Sequence, residues 1–259
     1  MRFPKIAGLI DHLSNMRHYS KEIRIPTSSV LWDWVRSVYY LWKQFGLSPL
    51  QSLDQSELIA WKESFREEEF REFYNDARYI AHLMNFEYGE VRRTSIRRVI
   101  DLVESSGFEE LSIMDVGVGN GSYLKPLVDR FWKKIVEMSY VDMAKPQILI
   151  TKHRVADCGV LASASNLPYR DESFNIIICL DVMEHLKDPS AALGEIGRIL
   201  RRRGMAILNH VSFDIVPYRE KAHISPLSQA EFEEMLGRTF ASVERKEVPF
   251  NVPMYVCSN

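Results

Sequence analysis

One stretch near the middle of the chain, residues 111–122, constrains the fold more than any other. Its sequence is LSIMDVGVGNGS, an apolar run that reaches Asp115 and then passes through the alternating glycines Gly117, Gly119 and Gly121. An apolar run bounded by glycine is typical of a buried parallel strand, and the apolar spacing that follows Gly121 is helical. The stretch therefore predicts a strand, a glycine-rich loop and a helix.

The glycine spacing indicates what kind of ligand the loop could hold. Glycines let the backbone approach a ligand, and the free N–H groups of a helix start favour a polar or anionic group. A nucleotide-like cofactor is therefore the expected ligand. The dinucleotide fingerprint has glycine at positions one, three and six. Here the sixth position is Ser122, which disfavours a nicotinamide or flavin. A glycine-rich turn without a ligand is the alternative.

An acid at the strand end narrows the choice of cofactor. Asp115 can accept hydrogen bonds from an ammonium group, and S-adenosylmethionine carries one. The run Asp115-x-Gly117-x-Gly119-x-Gly121 resembles the first motif of class I S-adenosylmethionine-dependent methyltransferases. Within that class the chain looks most similar to the small-molecule branch, type 11, that includes ubiquinone and menaquinone biosynthesis methyltransferases. The resemblance begins near Arg93 and runs to the C terminus.

This resemblance implies a fold and a cofactor. The implied fold is α/β, a Rossmann-like, seven-stranded, mostly parallel sheet with helices on both faces, and the helical spacing before it predicts an N-terminal helical extension. The domains are then a helical cap at residues 1–90 and a cofactor-binding core at residues 91–259. The cofactor is S-adenosylmethionine, which becomes S-adenosylhomocysteine when its methyl group is transferred.

Later residues complete the expected cofactor site. Asp142 ends a predicted second strand about 20 residues past the glycines, where an acid accepts the ribose hydroxyls; a helix cap is the compatible alternative, and Met143 follows it. Ser163 and Ala164 stand where the family has an Asp-Ala pair that meets the adenine. Asp181 opens the run DVMEHL, which resembles the family's fourth motif and follows the apolar strand at residues 175–180.

Three histidines are candidate catalytic residues. Methyl transfer needs mainly an in-line arrangement of acceptor, methyl carbon and sulfur, and an acceptor that is protonated at neutral pH also needs a general base. His185, His210 and His223 are the candidates, with His210 favoured at the end of a predicted strand; a structural histidine is the alternative for His185. The His and Asp residues after that strand match no metal-ligand spacing, so no metal is expected.

The first 90 residues are helical and aromatic in pattern, and they carry no family resemblance. Helical stripes that include Trp34, Trp42, Phe65, Phe73 and Tyr74 could pack against the core, form a lid over an acceptor pocket, or lie on a membrane. We expect a lid over the carboxyl edge of the sheet.

Composition limits the partners. The net charge of −2 and a pI near 6.4 do not favour a general nucleic-acid binder, and the fourth motif is unlike the Asn- or Asp-Pro-Pro-aromatic motif of DNA amine methyltransferases. There is no signal-peptide pattern and no apolar run of about 20 residues. The expectation is a cytoplasmic monomer or homodimer, not inserted in a membrane, that methylates an oxygen, nitrogen or carbon of a small, apolar or aromatic molecule. The alternatives are a tRNA or protein acceptor, or an inactive cofactor-binding scaffold.

Overall fold

A computed structural model of the chain describes residues 90–212, 214, 223–248 and 252–259. The expected N-terminal cap lies outside this part, except for its last residue. The helices and strands follow the chain in this order: α1 Glu90–Ser105, β1 Leu111–Val116, α2 Leu124–Phe131, β2 Ile135–Asp142, α3 Lys145–Arg154, β3 Gly159–Leu161, β4 Phe174–Cys179, α4 Pro189–Ile199, β5 Leu200–Asn209, α5 Gln229–Thr239, β6 Ser242–Lys246 and β7 Met254–Ser258. A 3₁₀ turn, Met183–His185, follows β4.

The strands of this part of the chain form one seven-stranded sheet in the order β3-β2-β1-β4-β5-β7-β6. The first five strands of that order pair in parallel, and β7 runs antiparallel to both β5 and β6. The expected Rossmann-like sheet, closed by an antiparallel hairpin, is confirmed.

The central strands are apolar throughout because both faces of the sheet are covered. Ile113 of β1 and Ile176 of β4 belong to one core cluster, which includes residues of α1 and α2. Met114 and Ile177, the next residue of each strand, belong to the other, with residues of α4 and α5. Successive side chains of a strand point to opposite faces, so a doubly covered strand needs an unbroken apolar run.

The sequence signals at two helix starts are also confirmed. Asp188 caps α4, where its side chain accepts a hydrogen bond from the Ser190 backbone N–H, and Pro189 occupies the first helical position. Ser228 and Glu231 form the predicted capping box at the start of α5. In the ranges that the structure describes, no helix combines the length and apolarity needed to cross a bilayer.

One boundary was predicted wrongly. The arginines at positions 201–203 and Gly204 were expected to form a turn before a strand at residues 205–209, but β5 already begins at Leu200. Phe174 pairs with Leu200 and Ile176 with Met205, so the four β5 residues at positions 201–204 oppose the single Asn175 of β4. The arginines therefore lie in a bulge, with Arg203 at φ 64°. A bulge is invisible to a periodicity test because the strand pairing resumes beyond it.

Candidate cofactor and active site

The strand order reverses between β1 and β4, because β2 and β3 lie on one side of β1 while β5 lies on the far side of β4. Ligands of open α/β sheets bind at such a point, outside the carboxyl ends of the strands. The loop after β1, the end of β2 and the turn after β4 all reach this edge.

The glycine loop adopts a backbone that favours glycine at each of its three glycines. Gly117, Gly119 and Gly121 have φ values of 73°, 55° and 78°, in the left-handed region that side chains disfavour. The backbone N–H groups of Gly117 and Val118 both donate to the Val141 carbonyl oxygen, at 2.9 and 3.0 Å. The loop is therefore anchored to β2 at its first two residues.

Helix α3 holds the carbonyl side of the same loop. The Thr151 hydroxyl donates to the Gly119 carbonyl at 3.0 Å, and Nη1 of Arg154 donates to the Asn120 carbonyl at 2.6 Å. These bonds leave the loop fixed before any ligand arrives, which reduces the ordering cost of binding.

Asp115 presents a buried carboxyl group to this loop. The residue is 3% exposed, and its Oδ2 atom has no hydrogen-bond partner among the described residues. Burial, followed by the nearby Asp142 carboxylate, raises the pKa of Asp115 to about 8. A buried carboxylate without a partner is costly. The position is therefore suited to a ligand that brings a positive charge and N–H donors, as the ammonium of S-adenosylmethionine would.

Asp142 joins the end of β2 to the glycine loop. Its Oδ2 accepts from the Gly119 N–H at 3.0 Å and its Oδ1 accepts from the Ala144 N–H at 2.8 Å. Burial raises the pKa of Asp142 to about 6, although the backbone N–H groups of Ala144 and Gly119 favour the ionised form. Each carboxylate oxygen has a second lone pair, so the side chain can organise the loop and still accept ribose hydroxyls. The N-cap of α3 is Ala144, not Asp142.

Replacing Asp142 by alanine is expected to weaken cofactor binding by about 10- to 150-fold, the equivalent of losing about 1.5 to 3 kcal/mol from a hydrogen bond to a charged group. Calorimetry measures the affinity and circular dichroism the fold. Asp129→Ala, which removes an exposed surface carboxylate paired with Lys125, is the control and should bind normally. An Asp142→Ala protein that unfolds would instead assign the residue a purely structural role.

The predicted adenine contacts follow the ends of β2 and β3. Met143 is 38% exposed directly after β2, so an apolar surface is available beside Asp142. Ser163 is exposed, and its Oγ accepts from the Ser165 N–H at 3.2 Å, while Ala164 packs on the core. Their contacts with adenine remain predictions.

Arg198 of α4 fixes the loop that follows Ala164, a role that the sequence did not indicate. Its guanidinium donates to the carbonyl oxygens of Leu167 and Tyr169 at 3.0 and 2.7 Å. Glu195 accepts from Arg198 and from the Leu167 N–H. The loop that would face the adenine is thus tied to α4, which packs in the same core cluster as Leu167.

Asp181 lies in an ion pair that links three elements. Its Oδ2 is 2.7 Å from Nη1 of Arg92 in α1, and Asn209 at the end of β5 bonds both its backbone N–H and its Oδ1. Burial favours the neutral acid, but Arg92 and Asn209 together hold the pKa of Asp181 below its ordinary value. Its φ of 59° is unusual for a residue other than glycine.

Tyr123 completes this group. Its hydroxyl lies 3.4 Å from Oδ2 of Asp181, and the Arg92 guanidinium lies 4.9 Å from its ring centroid. Burial raises the pKa of the Tyr123 phenol, so it stays protonated and donates. Sequence reasoning missed Arg92, Tyr123 and Asn209. Only Asn209 carried a signal, as a polar residue at the carboxyl end of an apolar strand.

His210, the favoured general base, is fully buried at the end of β5. Its Nε2 lies 3.2 Å from the Ser225 hydroxyl, and its ring stacks on Phe232 with centroids 4.9 Å apart. Burial lowers the pKa of His210 to about 4, which makes it neutral but weakly basic at neutral pH. Its catalytic role remains a prediction, and these surroundings favour it less than its position in the sequence did.

The other two candidate histidines lie together. The rings of His185 and His223 are 5.1 Å apart between centroids, with planes inclined by 65°. Both are half-buried, and the buried carboxylate of Glu184 adjoins them, so that one ligand-type atom from each of the three lies within 4.8 Å of the others. The sequence places Glu184 beside His185, but only the fold adds His223.

Comparison with known proteins agrees with this geometry. Residues 114–208 match a family model described as a methyltransferase domain. A phosphatidylethanolamine N-methyltransferase of Cereibacter sphaeroides is 24% identical over 60% of this chain and 74% of its own length. A ubiquinone biosynthesis O-methyltransferase of Parvibaculum lavamentivorans is 26% identical over 54% of each chain. The chain thus spans only part of these curated relatives.

The fold is shared with solved methyltransferases. The magnesium protoporphyrin IX methyltransferase of Synechocystis, solved with bound S-adenosylhomocysteine, has a TM-score of 0.53 and 16% identity, over 73% of this chain and 97% of that one. The glycine loop, the acids that end β1 and β2, the sheet order and the matched domain coincide in one segment. Residues 114–208 of this chain therefore match a methyltransferase domain, and the described sheet has the fold of solved methyltransferases.

Proposed function

We propose that the protein transfers the methyl group of S-adenosylmethionine to a small-molecule acceptor. The observation that carries the proposal is the buried Asp115 carboxyl, whose Oδ2 has no partner among the described residues and which adjoins the glycine loop. It has the chemistry to receive the ammonium of the cofactor, with Asp142 positioned for the ribose.

Two features support a small acceptor. The two relatives above are named for small-molecule methylation, one of phosphatidylethanolamine and one in ubiquinone biosynthesis. The chain's near-neutral charge also provides no general attraction for nucleic acid. An apolar or aromatic acceptor fits the relatives, and the first 90 residues are proposed to supply part of its pocket.

The in-line displacement requires positioning more than side-chain chemistry. The acceptor atom forms a bond to the methyl carbon as the carbon–sulfur bond breaks, and the electron pair stays on sulfur in S-adenosylhomocysteine. Fixed loops such as the one anchored by Val141, Thr151 and Arg154 are suited to hold the cofactor for this step.

The first test is calorimetric titration of the full chain with S-adenosylmethionine, S-adenosylhomocysteine and NAD. The first two should bind and NAD should not, and tighter binding of NAD would overturn the assignment. Incubation of cell extract with methyl-labelled cofactor then identifies the acceptor class. Label in the small-molecule fraction supports the proposal, whereas label only in RNA or protein contradicts it, as does binding without any turnover.

Cofactor affinity is expected to depend on pH. Only the ionised Asp115 can pair with an ammonium, and with a pKa of about 8 the group is protonated in the free protein at lower pH. Binding must then release a proton, so affinity should rise by up to about tenfold per pH unit below pH 8 and level off above it. Asp115→Asn is the control and should abolish this slope. A flat profile in the unmodified protein would contradict the assignment.

A further inference from the structure

We propose that Glu184, His185 and His223 form a binding site for one divalent transition-metal ion at the carboxyl edge of the sheet. One carboxylate oxygen and one nitrogen from each imidazole lie within 4.8 Å of one another. Two imidazoles and a carboxylate are a ligand set that Zn²⁺ and Fe²⁺ accept, with further coordination positions left open.

The fold builds this site from two segments. Glu184 and His185 belong to the 3₁₀ turn after β4, and His223 opens the described segment that leads to α5. The Ser225 backbone N–H donates to the Glu184 carbonyl oxygen at 3.0 Å. This bond ties the segment that carries His223 to the turn that carries the other two ligands.

The charge of the cluster also favours a cation. Glu184 is 1% exposed, and a carboxylate so deeply buried needs compensating positive charge close by. A dication held with two neutral imidazoles supplies it. A protonated imidazole paired with Glu184 is the competing arrangement, and the experiment below separates the two.

Binding requires only a small contraction. Ligand atoms at the usual zinc distances of about 2.0 to 2.2 Å from the metal lie about 3.3 Å apart in a tetrahedral site. The three atoms therefore need to close by at most about 1.5 Å. Rotation of the half-buried His185 and His223 rings can provide this movement without moving the strands.

The position of the site suggests its use. Ser225 donates its backbone N–H to the Glu184 carbonyl, and its hydroxyl lies 3.2 Å from Nε2 of His210 at the end of β5, so the ion would lie at the sheet edge where an acceptor is expected. The open positions could then hold an oxygen or nitrogen atom of the acceptor. This use rests on the proposed function, whereas metal binding itself does not. It also replaces the general-base role for His185 and His223, because a ligated imidazole cannot accept a proton.

The test uses the full chain, stripped with a chelator and titrated with Co²⁺ or Zn²⁺. We expect one ion per chain by calorimetry, and for Co²⁺ the visible absorption of a nitrogen- and oxygen-ligated ion. His185→Ala and His223→Ala should each weaken binding by more than about 100-fold, because even outer-shell partners of a metal site contribute 10- to 100-fold. His153→Ala, an exposed histidine of α3, is the matched control and should bind like the parent.

Two outcomes would overturn the site. One is that neither Co²⁺ nor Zn²⁺ binds stoichiometrically. The other is that the parent and His223→Ala bind the ion with equal affinity. Glu184→Gln should also lose the ion, and if that protein fails to fold, the two histidine variants decide. S-Adenosylhomocysteine binding is measured on the same stripped samples. Cofactor binding without metal binding overturns only the metal site, whereas metal binding without cofactor binding overturns only the proposed function.

Discussion

Asp115→Asn is expected to weaken cofactor binding while making the ligand-free protein more stable at pH 8. The lost charge-assisted hydrogen bond corresponds to about 1.5 to 3 kcal/mol, or roughly a 10- to 150-fold weaker affinity. The stability gain has a separate cause. Burial holds the pKa of Asp115 at about 8, far above its ordinary value of 3.8, so ionising this carboxyl opposes folding.

The sign of this effect can be measured. A carboxyl whose folded-state pKa is raised contributes stability that is present below about pH 4 and is lost as the pH rises toward 8. Asparagine is neutral throughout, so Asp115→Asn should lose less stability than the parent between pH 5 and pH 8. Thermal unfolding at both pH values, with and without S-adenosylhomocysteine, tests this, and Asp129→Asn is the surface control. Unchanged cofactor affinity in Asp115→Asn would remove Asp115 from the site.

Gly117→Ala is expected to abolish cofactor binding and to destabilise the fold. Two effects add at this position. The φ of 73° disfavours any side chain, and an alanine Cβ would lie 2.3 Å from Cγ2 of Val182 in the turn after β4. Left-handed strain costs roughly 1 to 2 kcal/mol and overpacking about 1 to 3 kcal/mol. Either the loop or the Val182 side chain must move to relieve the clash, and a displaced loop no longer holds the cofactor.

A control and a partial rescue sharpen this prediction. Gly194 lies on α4 with nothing within 4 Å of an added Cβ, so Gly194→Ala should be neutral or stabilising by about 0.5 to 1 kcal/mol through helix propensity. Val182→Ala in the Gly117→Ala background removes the clash but not the backbone strain, so stability should recover in part. Denaturant unfolding and calorimetry of the parent, Gly117→Ala, Val182→Ala and the double variant form a double-mutant cycle. Cofactor binding by Gly117→Ala at parental affinity would show that the loop does not cradle the ligand.

Much of the fold was readable from the sequence because its signals are local. The unbroken apolar runs of β1 and β4 follow from burial on both faces, and Asp188-Pro189 and Ser228 with Glu231 mark helix starts through short-range hydrogen bonds. The acids that end β1 and β2 follow the same logic, because parallel strands deliver their carboxyl ends to one edge. Sequence alone therefore determined the sheet, the family resemblance and the candidate cofactor acids.

Only the tertiary structure decided the contacts between segments far apart in the chain. No periodicity relates Arg92 to Asp181, or Arg198 to the loop at residues 167–169, and each pair meets because the sheet order places their elements side by side. Likewise, His223 joins Glu184 and His185 only where the segment before α5 returns to the β4 turn. Burial, too, is a property of the assembled core. The sequence predicted that His210 would lie at the open carboxyl edge of the sheet. In the folded protein its ring stacks on Phe232 and is buried.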